Sequence, residues 1–305
     1  MNIEPVSLDQ FRIVLTVVEA GSFSAAAKRL RRAQSAVSQS VIALEQQLGV
    51  QLFDRSAYRP AITPAGKVLL AEMQAIVARS DRLRAHAKAI AAGLEPELGI
   101  VLDAVYPMRR FTLILREFQE RFPTVAVRLY VEALGGVAEK VLDGTCALGV
   151  LGSMGELPAG LLGHPLRSVT MIPVAAPAHP LGTVEGRVST AQVQEHIQIV
   201  LSDRSRLTAG RDFLVVSPQT WRVADLASKH EIILAGLGWG TMPHHLIEAE
   251  LAEGSLCRLT VEGMPESDLL PAFAFHRSEE VLGPAGQWML SRLLGSGGDG
   301  QPLPA

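Results

Sequence analysis

The chain has almost no cysteine. Among its 305 residues only Cys146 and Cys257 occur, too few for a disulfide framework or a four-cysteine metal site. It is 48% hydrophobic, yet no stretch approaches the roughly 18 uninterrupted apolar residues of a membrane-spanning candidate. The first residues, MNIEPVSLDQ, carry neither a basic start nor an apolar core of signal-peptide type. A cytoplasmic protein without membrane association is the expectation. Nothing in the sequence assembles a Ser-His-Asp set or a pair of carboxylates at one place. No catalytic residue, metal or cofactor is expected, and the chain does not read as an enzyme. GLGWG at 236–240 follows a helical pattern and leads into a strand, the reverse of what a nucleotide loop requires, so it reads as a helix C-cap. His244 and His245 are adjacent, fall on different faces of a helix and suggest no metal site.

Net positive charge is also missing: the total is −3. Its distribution matters more. Residues 1–92 hold 12 Lys+Arg and 7 Asp+Glu, a net of +5, which leaves −8 for the rest. A basic N-terminal third on an acidic body fits a nucleic-acid-binding module joined to one with another task.

Within the basic third, an alanine-rich helical pattern opens near Ser24, which is read as its cap. A second runs over 35–48, with Val37, Val41, Leu44 and Leu48 on one face and Gly49 ending it. Only Arg31, Arg32, Ala33 and Gln34 lie between them, the outline of a helix-turn-helix. The other face of the second helix carries Gln34, Ser35, Ser38 and Gln39 near its N-terminus, side chains suited to base edges and phosphates. A plain polar surface is the blander alternative. An amphipathic helix over 7–19 precedes the pair. Arg55, Tyr58, Arg59 and Pro60 follow it and suggest a basic β-wing. Arg32, Arg55 and Arg59 join the four polar residues as candidate DNA contacts.

Thr63-Pro64 starts a long helix. Leu69, Met73, Ile76, Ser80, Leu83, Ala87, Ile90 and Leu94 alternate at spacings of four and three, a heptad seam that predicts pairing with a second copy. Beyond Gly93 the pattern changes to alternating strands and helices, with βαβαβ from 98 to 151 and a second α/β unit after it. Ligands bind at the carboxyl ends of strands in open α/β sheets. That rule selects Asp103 and Ala104, Leu134 and Gly135, and Ser202, Asp203 and Arg204, with Trp221 as a possible aromatic wall. The tail GSGGDGQPLPA at 295–305 is expected to stay unstructured.

In its order of parts the chain resembles the LysR-type transcriptional regulators over nearly its whole length. LDQFRIVLTVVEAGSFSAAAKRL, AQSAVSQSVIALEQQLGVQLFDRS and ITPAG are the most specific matches, and REFQERFP, VAAPAHPL and LAGLGWGTMPHHLI are weaker echoes. The resemblance implies an N-terminal all-α winged helix-turn-helix DNA-binding domain at 1–66 and a linker or dimerisation helix at 67–94. It implies an α/β two-subdomain, periplasmic-binding-protein-like effector-binding domain at 95–305. Subdomain I is expected at about 95–166 and 268–294 and subdomain II at about 167–267, with crossovers near 163–169 and 264–270. The implied function is sequence-specific binding of double-stranded promoter DNA by a homodimer assembling to a homotetramer, modulated by a small-molecule effector. Gln34-Ser35 and Gln39 depart from the family's usual residues, so base preference does not transfer. Asp103-Ala104 and Leu134-Gly135 stand where small hydroxyl residues often read a carboxylate; an acidic and an apolar residue there do not favour a simple carboxylate and point to an aromatic or partly apolar effector. Two alternatives remain open: a redox-responsive regulator acting through Cys146 and Cys257, and an α/β enzyme with a helical appendage.

Overall fold

A computed structural model describes residues 6–54, 61–152, 157–203, 205–264 and 269–295. The chain divides into two compact units, Met1–Ala91 and Ala92–Ala305.

The first unit starts with α1 (Leu8–Ala20), which Ser7 caps through a reciprocal box with Gln10. The next helix, α2 (Phe23–Leu30), is capped by Ser22, whose hydroxyl accepts from Ala25 N–H at 3.1 Å. Ser24, expected as the cap, lies one residue inside the helix. The third helix, α3 (Gln34–Leu48), buries Val37, Val41 and Leu44, and left-handed Gly49 closes it. These side chains pack with Ile13, Val14, Val17, Ala26, Ala27, Leu52 and Phe53 in one core. Glu45 accepts the N–H groups of Leu52 and Phe53 at 2.8 and 3.1 Å, which pins the chain after α3 back onto that helix. Then β1 (Phe53–Asp54) pairs antiparallel with β2 (Ala61–Ile62). Residues 55–60, the tip of the expected wing, lie outside the described residues.

The long helix α4 (Pro64–Ala91) has 28 residues, about 42 Å at ~1.5 Å per residue. Thr63 caps it by accepting from Gly66 N–H. Gly66 is required here, since a Cβ would stand 2.5 Å from the Leu52 carbonyl oxygen. Leu69, Leu70 and Met73 pack on the core of this unit. Leu69 and Met73, expected in a seam between copies, are thus satisfied within their own chain. Ile76, Leu83 and Ile90 are exposed. Leu94, expected to end the seam, lies beyond α4 and packs on the core of the second unit.

The second unit opens with β3 (Glu97–Asp103), α5 (Met108–Arg121), β4 (Ala126–Glu132), α6 (Gly135–Leu142) and β5 (Leu148–Gly152). As expected from the βαβαβ pattern, β3 pairs parallel with both β4 and β5. Alternate residues of β3 point to opposite faces. Ile100 and Leu102 meet Phe111, Ile114 and Phe118 of α5, whereas Val101 meets Val137 and Val141 of α6.

One long strand, β6 (Leu161–Ala175), then leaves this lobe. The crossover expected near 163–169 falls within this one continuous strand. The elements that follow are β7 (Arg187–Val188), α7 (Thr190–Gln194), β8 (Gln198–Leu201), β9 (Thr220–Val223), α8 (Leu226–Leu234), β10 (Gly240–Pro243), α9 (Glu248–Glu253), β11 (Cys257–Arg258) and β12 (Thr260–Val261). The return is β13 (Leu269–Arg277), and α10 (Pro284–Gly295) closes the fold. Strand β13 runs antiparallel to β6 over most of its length, with an irregularity between Leu270 and Ala272. The main sheet has the order β10-β6-β13-β5-β3-β4. Two antiparallel strands shared by both lobes therefore form the connection. The second lobe has its own core around Ile172, Val174, Ile199, Ile233, Met242 and Ile247.

Candidate functional site

In the first unit the sequence-selected polar residues lie together on α3. Gln34, Ser35 and Gln39 are exposed and Ser38 is partly so. Among the described residues their side chains make no hydrogen bond, and Ala33 offers the helix no side-chain cap. The first-turn N–H groups of α3 are thus open to an acceptor, a property absent from the sequence reading and suited to a phosphate oxygen. Arg32 is engaged differently: its guanidinium donates to both oxygens of Asp9 at 2.7 and 3.1 Å. It ties the α2–α3 turn to the start of α1. Arg55 and Arg59 lie outside the described residues.

In the second unit the carboxyl ends of β3 and β8 and the N-termini of α6 and α8 enclose a cavity of about 290 Å³. Val105, Met171, Ile199, Leu201, Phe213, Leu226 and Leu270 make its wall mainly apolar, while Asp103, Gln198, Asp212, Lys229 and Thr241 supply polar groups. Asp103 is buried and accepts from Val105 N–H at 3.1 Å. Burial pushes its carboxyl up to about 7, against the pull of the Val105 and Gly152 N–H groups; the charge of Asp203 adds to the rise. Gln198 is buried too, with its amide oxygen accepting from Val216 and Ser217 N–H at 2.9 and 3.1 Å. It holds the loop that carries Phe213 and Leu214 to the cavity.

Lys229 went unrecognised in the sequence. It lies on α8, is only 4% exposed, and among the described residues has no hydrogen-bond or ion-pair partner. Burial alone draws its ammonium down to about 8, so it stays mostly protonated at neutral pH. A signal was present: Leu226, Lys229 and Ile233 are the buried residues of α8, at spacings of three and four, so a lysine stands within an apolar stripe.

The other expected effector residues are distributed around this cavity. Leu134 lines it with a left-handed backbone, φ 52° and ψ −127°, a costly conformation for a branched side chain. Asp203 reaches from the second lobe to the start of α6, where Gly136 N–H donates to it at 3.0 Å and the Thr208 hydroxyl at 2.6 Å. Gly135 lies under this contact, and a Cβ there would meet Thr208 Cγ2 at 2.8 Å. Ser202 and Asp203 line an adjoining cavity that shares Leu134, Val200, Leu201, Asp212 and Phe213 with the first. Ala104 lines a separate one with Val131, His230 and Met242. Trp221, proposed as an aromatic wall, stands on β9, 46% exposed, outside the lining of the main cavity. Its strand pairs parallel with β8, with Trp221 opposite Ile199. Arg204 lies outside the described residues.

Neither thiol has the setting of a redox switch. Cys146 is buried, with burial pushing it up to about 11, the opposite of a reactive thiolate. Cys257 is free on β11, an element paired with β6.

A helix-turn-helix unit followed by a two-lobed α/β domain with a cleft cavity defines a ligand-responsive DNA-binding regulator. Residues 8–67 match the model of the bacterial regulatory helix-turn-helix protein, lysR family, and residues 91–297 match the LysR substrate binding domain. The chain belongs to the LysR-type transcriptional regulators and is a DNA-binding regulator with an effector-binding domain. It is 30% identical over 295 residues to the HTH-type transcriptional regulator PunR of Escherichia coli (strain K12), covering 95% of this chain and 92% of that one. It is 29% identical over 291 residues to the probable HTH-type transcriptional regulator YhaJ of the same strain, covering 94% and 96%. Among solved structures, an OxyR C206 mutant of Corynebacterium glutamicum superimposes with a TM-score of 0.54 at 21% identity, covering 97% of this chain and 94% of that one. ArgP from Mycobacterium tuberculosis gives 0.52 at 22%, covering 94% and 96%. At these identities the likeness is one of fold. Among the described residues no helix is long and apolar enough to cross a membrane.

Proposed function

We propose that this regulator reads promoter DNA with the N-terminal half of α3, through Gln34, Ser35, Ser38 and Gln39, and changes its DNA affinity when a small molecule fills the cavity between the lobes. The observation that carries the reading is the exposed, unbonded polar face at the uncapped start of α3. It presents donors and acceptors to base edges while the opposite face is committed to the core. Arg32 serves the orientation of α3 through Asp9, and Arg55 and Arg59, outside the described residues, are further candidate cations for the DNA backbone. Domain limits of about 1–66, 67–94 and 95–305 go with this division of labour.

The active form is a homodimer, assembling further to a tetramer, that works in the cytoplasm where its DNA lies. Ile76, Leu83 and Ile90 recur every seven residues on α4 and are 45%, 69% and 54% exposed. Such a row finds its partner in a second copy, and two copies of α3 then address two half-sites.

Ser38→Glu tests the DNA reading. A carboxylate at this position faces phosphates and base acceptors, and binding to a selected DNA site should fall at least 100-fold while the oligomeric state is unchanged. Undiminished binding would show that another face of α3 meets DNA.

A further inference from the structure

The cavity lined by Lys229 carries a chemical instruction that its apolar wall alone does not. Lys229 is nine-tenths buried and unpaired among the described residues. It is also the sole cation among the cavity's described lining residues. The two acidic residues there do not neutralise it. Asp212 is held by Arg222 in a bidentate pair at 2.7 and 3.0 Å, and Asp103 is tied to the Val105 and Gly152 N–H groups. Neither figures among the charges that act on Lys229. A buried ammonium without a counter-charge is costly to keep, and a ligand bringing one negative charge removes that cost on binding.

Resting on the reading of this cavity as the effector site, we infer that the effector is a small, mainly apolar monocarboxylic acid whose carboxylate pairs with Lys229 and whose hydrocarbon body lies against Val105, Met171, Phe213 and Leu226. The size follows from the cavity. At about 290 Å³, beside a cavity of about 390 Å³ that shares part of its wall, it admits a single ring or a short chain. The charge follows from the single ammonium: a phosphate dianion would leave one charge unmatched against an apolar wall. Orientation follows from the acidic side of the cleft. Asp103 lies within reach of Asp203's charge, which turns the ligand's carboxylate toward α8 and leaves that end suited to a hydroxyl or a hydrocarbon. The expectation from Asp103-Ala104 and Leu134-Gly135 disfavoured a simple carboxylate. Lys229 reverses that.

The test measures affinities by titration calorimetry on the full chain at pH 7. The probes are butanoate, hexanoate, octanoate, benzoate and phenylacetate, each beside its primary amide, with neutral and cationic compounds of similar size as a further set. Wild type should bind at least one acid ten-fold or more tightly than the matching amide, and Lys229→Met should lose that preference. An acid bound no better than its amide, or a preference that survives in Lys229→Met, overturns the inference. If only neutral or cationic compounds bind, the acid class is wrong while the cavity remains an effector site. If no compound of any charge binds, both the class and the effector reading of this cavity fail.

Discussion

Lys229 stands where helix α8 would ordinarily place an apolar side chain, between Leu226 and Ile233. Its ammonium is drawn from near 10.5 to about 8 by burial, a depression worth about 3 kcal/mol of destabilisation at neutral pH. Lys229→Met, of similar length and apolar, should therefore stabilise the ligand-free effector-binding domain by about that amount at pH 7 in urea unfolding. The folded state holds this proton less tightly than the unfolded chain. Wild-type stability should then climb as pH rises from about 8 toward 10.5, and the advantage of the variant should fade over that window. A variant less stable than wild type at pH 7 would mean that the ammonium is matched in the free protein. The residue scale is also where the sequence was least legible. Asp103 and Leu134 were recognisable from their places at strand ends, because the topology of open α/β sheets dictates those places. Lys229, Thr241 and Gln198 come to the same cavity from elements far apart in the chain. Trp221, expected as an aromatic wall, stands on β9, half-exposed and outside the cavity lining.

At the scale of elements, helix periodicity carried most of the information. The apolar stripe of α3 follows from spacings of three and four, and the structure buries Val37, Val41 and Leu44 of it. The shared strands were harder. A crossover near 163–169 is implied only by the family resemblance; the residues themselves combine glycine, proline, histidine and arginine. In the fold they continue β6 because β13 pairs along it from Leu161 to Thr170, a partner about a hundred residues away. Seven-residue spacing on α4 was legible, but only the structure divides that helix into an end consumed by its own core, through Leu69 and Met73, and an end with its apolar row exposed. Replacing Ile76, Leu83 and Ile90 together by lysine should therefore leave the first unit folded and shift the protein toward monomer in analytical ultracentrifugation. DNA affinity should fall at least ten-fold, as a second half-site contact is lost. Unchanged sedimentation would assign dimerisation to another surface.

At the scale of the whole molecule, charge is segregated along the chain: the basic third carries the helix-turn-helix domain, and the acidic remainder carries the cavity. An effector acts on DNA binding only if it binds one state of the assembly better than another, and the two strands shared by the lobes, β6 and β13, provide an element whose arrangement ligand occupancy can bias. Affinity for DNA should fall steeply with salt, since each phosphate neutralised releases a counterion. The most direct measurement is selection of binding sites from a random-sequence DNA pool at low salt, by wild type and by Ser38→Glu in parallel. Wild type should enrich a site with two inverted half-sites, and the variant should enrich none. Failure of wild type to enrich any sequence, or enrichment of the same site by Ser38→Glu, would contradict the assignment of α3 as the DNA-reading element.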